Sequence, residues 1–336
     1  MNSMVIDRRS LLLGTLAAVG GQQLFGRPTF AAVSAAADFA FVSAAKRGGG
    51  GYAVVMLSED GKIVREVPLS ARGHDIAMHP QSGRAVAFAR RPGTFAVAFN
   101  VNSNAPPQIF TAHDGRHFYG HGAFSRDGRL LYVSENDIAG ARGVIGIYSV
   151  GANYKKIGEH PSHGVGPHEI ILLEDGKTLA VANGGLDTVP EMDHVDLNRD
   201  AMQPSLTLVD AATGALRAKH VLPAALNQLS IRHIVADASG AVWFGAQWEG
   251  GQADTPQLIG SAGIDHAIRL IDPPAGAEVE LKGYIGSVAA SRDGTVIAAS
   301  APKAGRIVYI TAASGAIAAT SELADACGIA GDHDAL

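Results

Sequence analysis

Short apolar segments separated by glycine turns run through most of the chain. Five of them lead into a Ser-Gly or Asp-Gly dipeptide, and the turn glycines are Gly83, Gly128, Gly176, Gly240 and Gly294. A second apolar segment follows each turn, as Thr178–Asn183 follows Gly176. Two apolar runs joined by such a dipeptide predict a β-hairpin.

A second pair of segments follows each hairpin. After Thr178–Asn183 come Ser205–Asp210, a turn at Thr213-Gly214 and a further short run, so that each repeat has four strands. Four-stranded repeats of this length are typical of β-propeller blades. The sequence therefore predicts an all-β propeller.

The two ends of the repeat series predict how the ring closes. The first repeat begins at Phe39 with what aligns as a second strand, and the segment Asp325–Ala330 aligns with a first strand. Six complete sets result if the C-terminal segment joins the N-terminal three strands, because a blade without this pairing would leave a sheet edge exposed. We therefore expect Cys327–Ala330 to pair with Phe39–Ala44 if the ring has six blades, or to stand inside an incomplete seventh.

Composition and charge narrow the class of protein. The 41 glycines and the 18% content of charged residues suit short strands and tight turns. A net charge of -5 argues against a nucleic acid as partner, since phosphate binding needs a basic surface. The single cysteine, Cys327, cannot form a disulfide within the chain.

The N-terminal residues have the pattern of a targeting signal. Arg8 and Arg9 precede an apolar run that ends at Val19, and small residues fill Ala31–Ala37. Paired arginines before a modest apolar core indicate a twin-arginine signal, and the run is shorter than the roughly 20 residues that a membrane span needs. We predict a signal over residues 1–37, one propeller domain over residues 38–336, export to the periplasm and no stable membrane span.

Histidines hold the same position, at the start of the first strand, in four repeats. These are His74, His121, His168 and His233. In a propeller the first strands line the central channel, so the four imidazoles are expected at one mouth of that channel. Neutral imidazoles that converge suit a transition metal such as iron or copper, and protonated ones suit an anion. Repetition alone could also produce the pattern, with each histidine bonded to the neighbouring blade.

The second strands should end around the same mouth. The predicted ligand-binding residues at or near these ends are Arg90, Arg91, Glu135, Asn136, Asn183, Gln247 and Trp248, together with Arg232, which precedes His233. Alternation along a strand argues that the direct neighbours of the histidines, Glu169 and Arg232, point to the opposite side. No catalytic sequence motif names a reaction.

Several runs resemble an uncharacterised family of exported bacterial propellers, domain of unknown function 1513. They include His117–Gly122, Gly164–Glu169, Val181–Gly185 and Leu229–His233. The resemblance implies seven blades, the last of them truncated here, and a place beside iron-acquisition proteins of the imelysin-like and dihaem kinds.

Three functions follow from the residues and the resemblance. The leading hypothesis is a periplasmic accessory protein that binds a small ligand, a metal or a partner protein such as another iron-handling protein. The alternative is a metal-dependent hydrolase or oxidoreductase that uses the histidine-lined mouth. The third is a purely structural interaction module.

Overall fold

The computed structural model describes residues 39–79, 81–90, 93–188, 198–251, 254, 256–272 and 280–331. The predicted signal over residues 1–37 and the predicted site residue Arg91 lie outside these ranges. Within them, no helix is long and apolar enough to cross a membrane.

Six antiparallel sheets follow one another along the chain, and they form the six blades of a propeller. Blade 1 contains β1 (Phe41–Lys46), β2 (Tyr52–Leu57) and β3 (Ile63–Leu69). Blade 2 contains β4 (Gly73–His79), β5 (Arg84–Ala89), β6 (Phe95–Asn100) and β7 (Gln108–Thr111). Blade 3 contains β8 (Arg116–Phe124), β9 (Leu130–Asp137), β10 (Arg142–Ser149) and β11 (Lys155–Pro161).

The second half of the chain continues the pattern. Blade 4 contains β12 (Pro167–Leu172), β13 (Thr178–Asn183), β14 (Ser205–Asp210) and β15 (Leu216–Val221). Blade 5 contains β16 (Leu229–Ala236), β17 (Val242–Trp248), β18 (Ile259–Ala262) and β19 (Arg269–Leu270). Blade 6 contains β20 (Ser287–Ala290), β21 (Val296–Ala301), β22 (Arg306–Thr311) and β23 (Ala316–Glu322). Three 3-10 helices occupy connections at Val150–Ala152, Arg199–Ala201 and Ala224–Leu226.

The predicted hairpin turns join the first two strands of blades 2 to 6. In blade 3, Gly128 donates its N–H to the carbonyl of Ser125 at 2.8 Å and has a φ of 65°. A positive φ is cheap only for glycine, which explains why the turn dipeptides end in this residue.

The first strand of each complete blade is its innermost strand. β4, β8, β12, β16 and β20 contact one another in succession around the axis. Apolar side chains fill the spaces between adjacent blades, as where Val54 and Met56 of blade 1 pack with Ala85 and Val97 of blade 2. The described residues contain no such shared cluster between blade 6 and blade 1. There the face of blade 6 packs against Ala326 of the C-terminal segment.

The predicted six blades are confirmed, whereas the seven implied by the resemblance are not formed by the described residues. The predicted pairing of Cys327–Ala330 with Phe39–Ala44 is wrong. The C-terminal segment is not a strand, and β1 is hydrogen-bonded only to β2. The segment is held from the other side, since the Ser300 hydroxyl donates to the Cys327 carbonyl at 2.5 Å. In the part of the chain that the structure describes, blade 1 therefore has three strands and no inner strand of its own.

Candidate functional site

Four imidazoles from four inner strands form one cluster at the channel. The ring centroids of His121 and His168 lie 4.9 Å apart, and each is close to both other rings. His74 lies 4.8 Å from His121 and 5.4 Å from His168, and His233 lies 5.6 Å from His121 and 5.0 Å from His168. The convergence expected from the repeats is therefore present.

The four histidines do not hold one equivalent position, as the repeat alignment had assumed. Counted back from the hairpin turns, the equivalent residues of blades 2 to 5 are Ile76, Gly122, Ile170 and Ile234. His121 and His233 come one residue before this point, but His74 and His168 come two residues before it. The cluster thus has two adjacent positions, each of which supplies two imidazoles.

A β-bulge brings both positions to the axis. The pairing register shifts in each of the four inner strands that carry a histidine. It shifts between Gly73 and Ile76 in β4, for example, and between Pro167 and Glu169 in β12. A bulge places two residues opposite one and breaks the alternation of side chains. Consecutive residues such as His168 and Glu169 therefore point to the same space, and the expectation that direct neighbours of the histidines point away is wrong for Glu169.

Asp75 and Glu169 complete the cluster, and sequence reasoning had not placed either at the site. The Asp75 carboxylate lies 3.1 Å from Nδ1 of His121. The Glu169 carboxylate lies 3.0 Å from Nδ1 of His233 and 4.0 Å from Nδ1 of His121, and it also accepts the N–H of Ile234. Around the axis, carboxylate and imidazole alternate as Asp75, His121, Glu169 and His233.

Two imidazole nitrogens in the cluster have no partner among the described residues. Nε2 of His121 and Nε2 of His168 are buried and form no hydrogen bond with this part of the chain. His121 is 3% exposed and His168 is 9% exposed. One nitrogen each from His74, His121 and His168 lie within 4.8 Å of one another, and a second set within that limit is His121, Glu169 and His233. Buried polar atoms are normally paired, so these nitrogens mark a place where a partner is expected.

Burial and neighbouring charge set the protonation of the cluster. Burial lowers the pKa of His168 well below its usual value, and the charges of His121 and Arg232 act in the same direction. Burial also lowers the pKa of His74 strongly. For His121, burial acts downward, but the attraction of Asp75 and Glu169 outweighs it and raises the pKa. Two neutral imidazoles therefore stand beside one that favours the proton.

The Asp75 carboxylate is the counterpart of His121. Burial acts to raise its pKa, but the charge of His121 and the hydrogen bond between the two groups dominate and lower the pKa to about 2. Asp75 is therefore ionised at neutral pH, and it fixes the proton of His121 on Nδ1. When the His121 ring is neutral, the unpartnered Nε2 is the nitrogen with a lone pair.

Glu135, predicted to bind ligand, lies inside blade 3. Its carboxylate accepts hydrogen bonds from the Tyr148 hydroxyl at 2.5 Å and from Lys156 at 2.7 Å. Burial raises the pKa of Glu135, and Lys156 opposes the rise. Because β10 and β11 supply these partners, the carboxylate is directed to the outer strands and forms no hydrogen bond with the clustered histidines.

Asn136 and Asn183, also predicted to bind ligand, are buried and hold backbone in place. Asn136 donates to the Thr188 carbonyl at 2.9 Å and so ties the start of the long loop after β13 to blade 3. Asn183 accepts from the Ser162 hydroxyl at 2.8 Å and donates to the Thr207 hydroxyl at 3.1 Å. These contacts give both residues a structural role at the mouth.

Three further predicted residues lie on blade 5. Gln247 donates to the Ile285 carbonyl at 3.3 Å, and the Trp248 indole donates to the Gly251 carbonyl at 2.9 Å. Nη2 of Arg232 lies 3.1 Å from Glu249, while its buried Nε has no partner. Arg232 is the blade 5 equivalent of His74 and His168, so a cation takes that position there.

Arg90 lies at the mouth of blade 2, and Arg72 accompanies it. The N–H of Arg90 donates to the Arg72 carbonyl at 2.8 Å, and both residues are exposed. Sequence reasoning missed Arg72 because it precedes the first strand of its blade. The sequence signal for Arg72 was its position two residues before His74, one of the four repeated histidines.

Comparison with known proteins fits this fold. The model of the DUF1513 family, a protein family of unknown function, matches residues 67–336. The chain belongs to this family. A search of curated proteins finds no match.

Among solved structures, hydrazine synthase of Kuenenia stuttgartiensis is similar, with a TM-score of 0.57 and 14% sequence identity, over 85% of this chain and 80% of that one. This similarity concerns the fold alone. The solved structures that match comprise 1151 chains, so this fold by itself does not indicate a function.

Proposed function

We propose that this protein binds one transition metal ion on the imidazoles at its channel and acts as a periplasmic accessory protein. The observation that carries the proposal is the pair of buried, unpartnered Nε2 atoms on His121 and His168. Leaving a buried polar atom without a partner costs about 1–3 kcal/mol, which a bound ion would offset.

The donor set fits such an ion. A nitrogen of His74 lies within 4.8 Å of the nitrogens of His121 and His168, so small ring rotations suffice for shared coordination. The lowered pKa values of His74 and His168 keep both rings neutral at neutral pH, and only a neutral imidazole can bind a metal. Imidazole nitrogen suits iron and copper, and also zinc.

Asp75 and Glu169 support the proposal from behind the imidazoles. Histidine ligands usually pass their second N–H to a carboxylate, which orients the ring and strengthens the ligand. Asp75 stands in this relation to His121, and Glu169 stands in it to His233. A purely structural set of histidines does not need two carboxylates placed in this way.

Metal analysis of purified protein tests the proposal. We expect about one equivalent of iron, copper or zinc in the wild type and its loss in the double variant His121→Ala/His168→Ala, with the thermal transition retained. The controls are His163→Ala and His220→Ala, because each of these rings donates to a backbone carbonyl outside the cluster, that of Gly214 and that of Gly263. Metal retained in the double variant, or lost equally in the controls, would contradict the proposal.

An enzyme is the second candidate, and the number of protein ligands favours it. Three imidazoles leave a coordination position open, as in catalytic metal sites. Chemistry at the metal requires that position to exchange a small ligand. The spectrum of the copper-loaded protein with added azide separates the candidates, since an unchanged spectrum indicates a closed binding site.

Export through the twin-arginine route remains part of the proposal. The paired Arg8 and Arg9 before a mild apolar run support it. Replacing both with lysine should retain the precursor in the cytoplasm. Unchanged periplasmic yield in a strain that lacks the route would contradict it.

A further inference from the structure

Two arginines at the mouth of blade 2 have no partner. Arg72 and Arg90 flank the paired residues Gly73 and Ala89, where β4 begins and β5 ends. Both are exposed, and within the described chain neither side chain makes a hydrogen bond or an ion pair. Free arginines are common on protein surfaces, so their surroundings decide whether they matter.

These arginines border the space between the cluster and the seam of blades 6 and 1. Arg72 is two residues before His74, and the charge of Arg90 helps to lower the pKa of His74 after burial and the neighbouring imidazoles. Both charges also reach the Cys327 thiol, which lies 4.0 Å from the Gly286 carbonyl of blade 6. The charge of Arg90 thus acts on both the cluster and the seam, and the charge of Arg72 acts on the seam.

A third arginine stands at the other end of the crescent of histidines. Arg232 is 9% exposed, and its Nε–H has no acceptor among the described residues although Glu249 holds Nη2. This buried N–H therefore marks a place where an acceptor is expected, just as Nε2 of His121 and Nε2 of His168 mark places where a partner is expected. Since Arg232 occupies the bulge position of blade 5, its side chain starts from the same inner position as His168.

Between these arginines the ring carries small residues. Blade 6 has Gly286 and Ser287 at the two positions where each of blades 2 to 5 supplies at least one imidazole. In the C-terminal segment, a Cβ added to Gly328 would meet no atom within 4 Å. This half of the mouth has histidines on one side and arginines at both ends.

We propose that this half of the mouth binds a small oxyanion, such as a carboxylate or a phosphate, against Arg72, Arg90 and Arg232, so that the anion and the imidazoles hold the metal between them. This inference rests on the proposed metal site. Guanidinium groups bind carboxylate and phosphate oxygens through paired N–H donors, which explains why arginine stands at these three places. Asp75 and Glu169 do not oppose the anion strongly because each is bonded to an imidazole.

Calorimetry with oxalate and with inorganic phosphate tests the inference on metal-free and copper-loaded full-length protein. We expect binding that weakens about tenfold or more in Arg72→Gln/Arg90→Gln, while the metal content stays at the wild-type level. Arg232→Gln should have an effect of similar size. If that variant does not fold, because Glu249 loses its partner, the exposed pair decides alone.

Arg129→Gln is the matched control, since Arg129 is an exposed arginine at the hairpin turn of blade 3, away from the mouth. Equal affinity in the wild type and the Arg72/Arg90 variant would overturn the inference, and so would oxalate that removes copper from the wild type. Preference for oxalate or phosphate identifies the anion. If the wild type binds no metal, the proposed function fails, and the anion affinity of the metal-free variants still decides this inference.

Discussion

Blades 2 to 5 differ from blades 6 and 1 at the axis. The inner strands of blades 2 to 5 each carry a bulge. Titratable side chains fill two consecutive positions there in blades 2, 4 and 5, and in blade 3 His121 follows Gly120. The inner strand of blade 6 is regular, begins at Ser287 and is preceded by Gly286, and the described residues give blade 1 no inner strand. The difference shows that the cluster depends on the bulges as much as on the repeated histidine, because a regular strand would turn every second side chain away.

The largest effect is expected from Gly120→Ala. Gly120 occupies the bulge of blade 3 with a φ of 105°, and a Cβ there would overlap the ring of His74. Strain and overlap together should lower the free energy of unfolding by about 3 kcal/mol and displace His74. Chemical denaturation measures the loss. A change below about 1 kcal/mol would mean that the bulge of blade 3 is not tightly packed on blade 2.

The next effect concerns the carboxylate behind His121. Asp75→Asn should weaken metal binding about 10- to 100-fold, because the amide no longer strengthens the imidazole as a ligand. Ser287→Ala changes the equivalent position of blade 6 and should leave the affinity unchanged. The measurement is a metal competition titration. Equal affinity in Asp75→Asn and Ser287→Ala would remove the distinction between the two halves of the axis.

Acid should destabilise the metal-free protein through His74 and His168. Both have folded pKa values below the unfolded value of about 6.5, so the unfolded chain binds more protons as the pH falls through that value. Each histidine can remove at most about 1.4 kcal/mol of stability per pH unit between its unfolded and folded pKa.

Two groups of the cluster titrate in other windows. His121 has a raised pKa, so its contribution is complete at acid pH and is lost only as the pH rises through the folded value. The contribution of Asp75 is lost only toward its pKa of about 2. Unfolding curves between pH 7 and 5 should therefore fall in the wild type and flatten in His168→Gln. Parallel curves would contradict the assignment.

The smallest effect is expected at the seam. Gly328→Ala places a methyl group in open space and should change the free energy of unfolding by less than about 0.5 kcal/mol. The same substitution type at Gly120 is the comparison. A large loss at Gly328 would show that the C-terminal segment packs as tightly at the axis as the bulged strands do.

Much of the fold could be predicted from the sequence because turns and apolar runs are local signals. The glycine of each hairpin turn, such as Gly128, has the conformation that the dipeptide indicated. Ring closure is not local, since it depends on whether two segments far apart in the chain share a ladder. The expected strand at Cys327–Ala330 had the right composition, but its carbonyl is held by Ser300 on blade 6 instead of by β1.

At the candidate site, the sequence predicted that the imidazoles meet but not how. A bulge adds a residue without changing the apolar pattern of a strand. Strict alternation therefore put the Glu169 side chain on the wrong side of its strand, and nothing in the pattern indicated Asp75. A signal was present in the spacings, because His121 and His233 each precede their turn glycine by seven residues but His168 precedes Gly176 by eight. Glu135 was predicted to face the mouth because it is a charged residue at the end of a strand. Its carboxylate instead lies inside the blade, where it accepts hydrogen bonds from Tyr148 and Lys156.

The three-stranded first blade makes the junction of blades 6 and 1 the place where the ring opens locally. On its inner side, β1 lacks the neighbouring strand that would occupy its backbone N–H groups, and no apolar cluster of the described residues bridges it to blade 6. Segments with few shared contacts open locally long before the whole protein unfolds. Amide protons of β1 and of residues 323–331 should therefore exchange with deuterium well before those of β12, and a protease should cut there first. Such opening would uncover the arginine-lined half of the channel and leave the histidines in place.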